Sequence, residues 1–334
     1  MRNLLIGDCR ELLPSVPAES VHCCVTSPPY WGQRDYGISG QMGLEPTIAA
    51  YVHALAVVFR EVLRCLRPDG TLWLNLGDVY HTGDNYTAHP TGSRYSRTCI
   101  NHGHEAADLE SAPNRQRQPG LKPKDLCGIP WEAAFALRAD GWYLRSEIIW
   151  CKPNPMPESV RDRPTRSHEH IFLLTKREKY YYDYAAILER QSESERTRRL
   201  LEQQHGMSRE YPLVSEERTL QPKKDQTSCA RSLSARHALA QRGTRNRRSV
   251  WIISTAGAGP EAHPARFPAE LARNCILAGC PAGGTVLDPF AGSGTTGIVA
   301  EMEGRNSILI ELNPLYAAMA LRQTNQAGLF CQTP

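Results

Sequence analysis

The sequence predicts an α/β fold: a doubly wound, mostly parallel sheet of seven strands, circularly permuted along the chain and carrying a basic insertion. Three observations predict it. Residues 285–287 form a short apolar run that stops at Asp288-Pro289-Phe290. It opens into Gly292, Gly294 and Gly297 at G-x-G-x-x-G spacing, with a helical run at 298–301 behind them. The next apolar run, 307–310, ends at Glu311, and only residues 312–334 follow it, too few to complete a sheet. Five further strand-like runs lie before residue 175, with helical spacing between most of the early ones.

Each element has a local reason. Residues 3–6 are apolar and end at Gly7-Asp8; residues 10–13 begin a helical segment cut by Pro14 and Pro17. Residues 21–26 are rich in β-branched side chains and stop at Ser27-Pro28-Pro29-Tyr30-Trp31, where two prolines stiffen the backbone and fix its carbonyls. Val52, Leu55, Val58, Phe59, Val62, Leu63 and Leu66 recur at helical spacing over 51–66, and Pro68-Asp69-Gly70 should stop that helix. Strands are expected at 71–76, 147–150 and 170–174, and a helix at 131–137 ending before Gly141; residues 180–184 could extend the sheet. Residues 79–128 are polar and aperiodic, a loop insertion. A helix over 269–278, the glycine motif and a last helix from Pro314 complete the chain.

Counted from 285 and wrapped round the chain ends, the strands run 285–287, 307–310, 3–6, 21–26, 71–76, 147–150 and 170–174. In a doubly wound sheet the order reverses beside the first strand, which then neighbours the fourth, and ligands bind at their carboxyl ends. The first strand ends in Asp288-Pro289-Phe290 and the fourth in Ser27-Pro28-Pro29-Tyr30. Two motifs from opposite ends of the chain are therefore expected at one cleft.

Composition narrows the function class. A chain of 334 residues with 41% hydrophobic content has core enough for one large domain or two ordinary ones. The net charge of +4 is too mild to imply a polyanion partner unless it is clustered, and it is: arginines and lysines crowd 190–249, where apolar residues are few. That stretch reads as a nucleic-acid-facing module or a disordered linker. None of the 11 cysteines stands in C-x-x-C spacing, as expected of reduced thiols in a cytosolic protein. The N-terminus turns polar at Gly7-Asp8, so no signal peptide is expected, and no apolar run reaches membrane-spanning length.

Thr26-Ser27-Pro28-Pro29-Tyr30 resembles the catalytic motif of the DNA amino-methyltransferases. Asp288-Pro289-Phe290-Ala291-Gly292-Ser293-Gly294-Thr295 resembles their S-adenosylmethionine (AdoMet) motif. Catalytic motif first and AdoMet motif last resembles the β arrangement of that family, over roughly 1–78, 141–184 and 250–325. The resemblance implies a Rossmann-like methyltransferase sheet. Residues 1–189 would be its catalytic part, 190–249 a target-recognition region, and 250–334 the AdoMet-binding part of the same domain. It further implies a site-specific, cytoplasmic enzyme acting on double-stranded DNA as monomer or homodimer, with a restriction endonuclease as functional counterpart outside any stable complex. Ser-Pro-Pro-Tyr in place of Asp-Pro-Pro-Tyr is similar to members that methylate N4 of cytosine. Adenine N6 is the alternative, because the first letter does not strictly determine the base.

The chemistry suits these residues. An exocyclic amine is a poor nucleophile because its lone pair is delocalised into the ring. Acceptors at the Ser27 hydroxyl and the Pro28 carbonyl, preset by Pro28-Pro29, would pull it toward tetrahedral geometry. Tyr30 would stack on a base flipped out of the duplex. For the cofactor, the resemblance assigns Asp288, Pro289, Phe290, Gly292, Ser293, Gly294 and Thr295 to the glycine turn, Glu311 to the ribose, Asp8 to the adenine amino group and Phe267 to an added contact. Helix capping is the competing role for Asp8, and core filling for Phe290. Arg242, Arg245, Arg247 and Arg248 are the candidate DNA contacts. Cys99, His102 and His104 lack a fourth ligand, so no metal is expected. Cys275 and Cys280 read as structural. The glycine turn with Glu311 would also suit an NAD-binding oxidoreductase, which leaves Ser27–Tyr30 and the basic stretch without a role.

Overall fold

A computed structural model of the chain describes residues 2–81, 118–192, 243–255 and 267–330, with side chains to residue 323. Its backbone divides into two units, residues 1–183 with 249–334, and residues 184–248. The strands are β1 Arg2–Ile6, β2 Val21–Thr26, β3 Leu66–Leu76, β4 Tyr143–Cys151, β5 His168–Thr175, β6 Glu189–Arg190, β7 Thr244–Arg245, β8 Val250–Ile252, β9 Thr285–Asp288 and β10 Asn306–Glu311. The helices are α1 Cys9–Leu12, α2 Ile48–Cys65, α3 Ile129–Ala139, α4 Ala269–Gly279, α5 Thr295–Met302 and α6 Pro314–Phe330.

The first unit is built on one sheet in the order β1-β10-β9-β2-β3-β5-β4-β8. All seven expected strands are in it. Counted from β9, the first and fourth strands are neighbours, with Cys23 beside Val286 and Cys24 beside Leu287. Neighbouring strands are parallel except β5, which runs antiparallel to both β3 and β4.

Side chains alternate between two covered faces, as the strand period requires. On β3, Leu72, Leu74 and Leu76 join a core with Leu55, Phe59 and Val62 of α2 and Ala134 and Leu137 of α3. On the opposite face the Thr71 hydroxyl donates to the carbonyl of Gly279, the last residue of α4, at 3.3 Å. Burying each Leu or Phe of such a core contributes about 1.5–3 kcal/mol. The Thr47 side chain caps α2 by accepting from the Ala50 N–H. Cys275 and Cys280 are fully buried beneath the sheet, as expected of structural thiols.

Three details differ from expectation. The strand after α2 begins at Leu66, not 71; its pairing with β2 slips between Val21–Leu66 and Cys23–Thr71, which absorbs Pro68-Asp69-Gly70 in a bulge. An eighth strand, β8, pairs with β4 at the edge; three residues of Val250-Trp251-Ile252 are too short a run to announce a strand. Residues 180–184 do not extend the sheet. Tyr181 N–H donates to the Asp69 carbonyl and Asp183 N–H to the Ala278 carbonyl instead.

In the second unit β6 pairs antiparallel with β7, and Glu189 accepts from Arg245 at 2.7 Å and Arg248 at 2.9 Å. Most of the basic stretch, including Arg242, and the insertion residues Cys99, His102 and His104 lie outside the described residues. Among the described residues no helix is long and apolar enough to cross a membrane.

Candidate active site

The pairing of β2 with β9 carries the two motifs to one rim, and Asp288 ties them together. Its Oδ1 accepts from the Thr26 hydroxyl at 2.7 Å and from the Phe290 N–H at 3.1 Å; its Oδ2 accepts from the Thr296 hydroxyl at 2.6 Å. The side chain is 1% exposed, and burial pushes its carboxyl above the ordinary value. Expected among the cofactor residues, Asp288 faces inward and fixes the first turn of α5 to the end of β2. Its fixed neighbours set where Ser27 and the glycine turn stand.

Beyond Thr26 the Ser27-Pro28-Pro29-Tyr30 segment leaves the sheet. The Tyr51 hydroxyl holds the Pro29 carbonyl at 2.8 Å, and among the described residues none donates to the Pro28 carbonyl. The Ser27 hydroxyl donates to the Tyr30 hydroxyl at 3.2 Å, which donates to Glu169 Oε2 at 2.6 Å. Asn75 Nδ2 stands 2.9 Å from both Tyr30 Oη and Glu169 Oε2. Lys152 closes the cluster with an ion pair to Glu169 Oε1 and lies 4.5 Å above the Trp150 ring. Burial pushes the Glu169 carboxyl up, but Lys152 and the hydrogen bonds from Tyr30 and Asn75 outweigh it and hold it below its ordinary value. Burial and the facing Glu169 charge push the Tyr30 phenol well above its own. Trp31 is a core residue, fully buried, its indole donating to the Glu45 carbonyl.

The glycine turn is built as its spacing implies. Gly294 caps α5 at φ +81°, in left-handed backbone, and a Cβ at Gly297 would meet Leu309 at 2.5 Å, so α5 lies close on β10. Ser293 is buried and Thr295 opens the helix. Glu311 takes one backbone N–H on each oxygen, Gly292 at 2.7 Å and Asn313 at 2.8 Å. Burial raises its pKa. Tyr36 and Tyr316 meet edge to face near it, at 6.2 Å. Arg34, beside Tyr36, has a buried Nη1 without a hydrogen-bond partner among the described residues. Phe290 is half-buried against the core, and Phe267 is half-buried just before α4.

Asp8 takes the capping role. Its Oδ1 accepts from the Arg10 N–H at 2.8 Å, and the Arg10 guanidinium pairs with both oxygens. That leaves little of the carboxylate for an adenine amino group.

Residues 21–322 match the N6/N4 methyltransferase family model, described as DNA methylase. The chain belongs to this DNA methylase family. That match selects methyl transfer over the dinucleotide reading of the glycine turn. Among relatives of the methylase, the type II methyltransferase M.Cfr9I of Citrobacter freundii is 43% identical over 328 residues, covering 96% of this chain and 86% of that one. The fold is shared with two solved structures. PvuII DNA methyltransferase (cytosine-N4-specific) aligns with TM-score 0.59 at 19% identity, over 98% of this chain and 90% of that one. The DNA modification methylase TTHA0409 of Thermus thermophilus, complexed with S-adenosyl-L-methionine, aligns with TM-score 0.56 at 24% identity, over 98% and 94%.

Three residues of the candidate site, Asn75, Lys152 and Glu169, are not singled out by the sequence, and a fourth, Asp78, reads there as a strand end near the cleft or a turn former. The first three surround Tyr30. Asp78 accepts from the N–H groups of Val79, Gly128 and Ile129 and so closes the base of the loop insertion. The available signal was a row of polar residues at strand ends: Asn75 and Asp78 after an apolar run, Lys152 after Trp150, and Glu169 before Ile171. Of the candidate DNA contacts, Arg245 and Arg248 pair with Glu189 and serve the β6–β7 ribbon; Arg247 is half-buried beside them.

Proposed function

We propose that this chain is a site-specific DNA methyltransferase that uses S-adenosylmethionine to methylate the N4 amino group of cytosine. The observation that carries the reading is the Ser27 hydroxyl at the carboxyl end of β2, its proton directed at Tyr30 and one lone pair toward Asn75 Nδ2 at 3.5 Å, so that the other is left for an amine. A serine is a hydrogen-bond acceptor here and too weak a base to deprotonate a neutral amine. Cytosine N4 needs no such base, because the amine becomes acidic once it carries the methyl.

The residues fit the cofactor. Glu311 keeps one lone-pair side on each oxygen, which suits two adjacent ribose hydroxyls. Residues Gly292–Thr295 would receive the methionine part, and the orphaned Nη1 of Arg34 suits its carboxylate. Phe290 and Phe267 would flank the adenine. When bound, the cofactor supplies an electrophilic methyl group on a sulfonium. The TTHA0409 complex supports the assignment by fold.

For the base, Ser27 Oγ and the Pro28 carbonyl accept the two amino N–H groups, and the tie through Asp288 sets their distance from the glycine turn. Tyr30 offers one ring face to the flipped base; Gly77 lies against its ring. The partner is double-stranded DNA. The type II name of M.Cfr9I and the cytosine-N4 specificity of the PvuII enzyme support a modification role beside a restriction endonuclease in the bacterial cytoplasm, with cytosine N4 as target. The test is direct. Purified protein, AdoMet and unmethylated plasmid are incubated, and the DNA is digested to nucleosides for mass spectrometry. N4-methyldeoxycytidine is the expected product; N6-methyldeoxyadenosine alone would overturn the choice of base.

A further inference from the structure

We infer that Glu169, paired with Lys152, is a positioning residue that fixes the hydrogen-bond polarity of the catalytic motif through Tyr30. The inference rests on the methyl-transfer reading and adds residues that reading does not need. An ionised carboxylate only accepts, so the single Tyr30 proton must go to Glu169 Oε2, 2.6 Å away. Tyr30 Oη is then left with lone pairs, which face Asn75 Nδ2 at 2.9 Å and Ser27 Oγ at 3.2 Å. Ser27 also has one proton, and Tyr30 takes it.

The consequence reaches the cleft. A serine hydroxyl free to rotate would present its proton to an incoming amine as readily as its lone pairs, and a donor meeting a donor repels. With the proton committed inward, Ser27 is an obligate acceptor, and successive hydrogen bonds toward a carboxylate polarise one another. Asn75 fits only one way. Its Nδ2 faces Glu169 Oε2 at 2.9 Å, and the reversed amide would set oxygen against carboxylate. Lys152 supplies the counter-charge that keeps a carboxylate in a site whose side chains are 15% and 19% exposed for Glu169 and Lys152.

The experiment compares wild type, Glu169→Gln, Tyr30→Phe and the double variant in single-turnover methyl transfer. AdoMet and DNA dissociation constants are measured beside the rates. In Glu169→Gln the new amide donates to Tyr30, whose proton turns to Ser27, whose proton turns into the cleft. The expected rate loss is about 10²-fold, with both dissociation constants within about twofold. Tyr30→Phe should lose as much, and the double variant no more than the worse single. Independent, multiplying losses, or a full rate in Glu169→Gln, would overturn the inference. If Glu169→Gln is unstable through its stranded lysine, Glu169→Gln with Lys152→Met restores stability and should keep the slow rate; a restored rate would count against the relay. Neutron diffraction on the wild-type protein reads the relay without turnover. A Ser27 proton pointing at Tyr30 supports it, and one pointing into the cleft refutes it. Failure of the wild type to methylate any base would instead sink the functional reading.

Discussion

A methyl group added at Gly77 would stand 2.5 Å from Cε2 and 2.9 Å from Cδ2 of Tyr30. Backbone at the end of β3 cannot retreat far, so the ring must. Gly77→Ala is therefore expected to lower the methyl-transfer rate about 10²-fold, the usual effect of misplacing a reacting group by an ångström, while AdoMet affinity by calorimetry stays within twofold. Glu169 gives a pH prediction of definite sign. Its folded pKa lies below the ordinary 4.5, so its contribution to stability is fully present above 4.5 and is lost as pH falls through the lower folded value. Glu169→Gln should cost about 3 kcal/mol at neutral pH, the low end for breaking a buried pair. Urea titrations should show the gap to wild type constant from pH 8 to pH 5 and shrinking below about 4.5. At this scale the sequence singles out Ser27, Tyr30, the glycines and Glu311 as candidates, because spacing and strand-end position announce them. Glu169 stayed hidden for a geometric reason. It stands near the start of its strand, which in a parallel sheet is the wrong edge; only because β5 runs antiparallel does it reach the rim beside Asn75.

Asp78 shows what an element end requires. In sequence it reads as a strand end near the cleft or a turn former. In the structure its carboxylate collects three backbone N–H groups, Val79 at 2.8 Å, Gly128 at 3.0 Å and Ile129 at 3.2 Å. Two of these open α3, whose Gly128 cap offers no side chain of its own. The same aspartate thus ends β3, starts α3 and ties the two together. Below it the neck is zipped by Cys127 N–H to the Val79 carbonyl at 2.9 Å and His81 N–H to the Asp125 carbonyl at 2.9 Å. Asp78→Ala strands three donors at a buried site and should cost about 1–3 kcal/mol, read as a lower urea midpoint. Asp78→Asn keeps an acceptor and should cost clearly less; equal losses would show that the hydrogen bonds are not what Asp78 supplies. Helix and strand existence was legible from periodicity and from proline and glycine punctuation. The early start of β3 and the short β8 were not. Both depend on a partner strand that accepts an irregular or very brief edge.

Over the whole molecule, the wrap-round strand order is legible in the sequence because it rests on sheet topology and not on any one residue. It placed 285–287 beside 21–26, and the tie between Asp288 and Thr26 is what that adjacency permits. The basic stretch is different: composition marks it, but no periodicity specifies what it builds. Its neck, however, is defined. Glu189 pairs with Arg245 and Arg190 with Thr244, Gln191 N–H donates to the Gly243 carbonyl at 3.0 Å, and Glu189 binds both Arg245 and Arg248. The ribbon holds residues 191 and 243 within hydrogen-bonding distance, so a short linker can join its two strands. Replacing residues 193–242 by a short Gly-Ser linker from Ser192 to Gly243 is expected to leave the thermal midpoint within a few degrees and AdoMet affinity within about twofold, since the residues expected to hold AdoMet belong to the other unit. DNA methylation should fall below detection, because the deleted residues carry eight of the twelve arginines of the basic stretch 190–249, the expected source of phosphate and base-edge contacts. Sequencing of methylated sites in an expressing host checks the outcome. Methylation of the same sites at the wild-type level would mean that target recognition resides elsewhere, with the loop insertion 79–128 the next segment to delete.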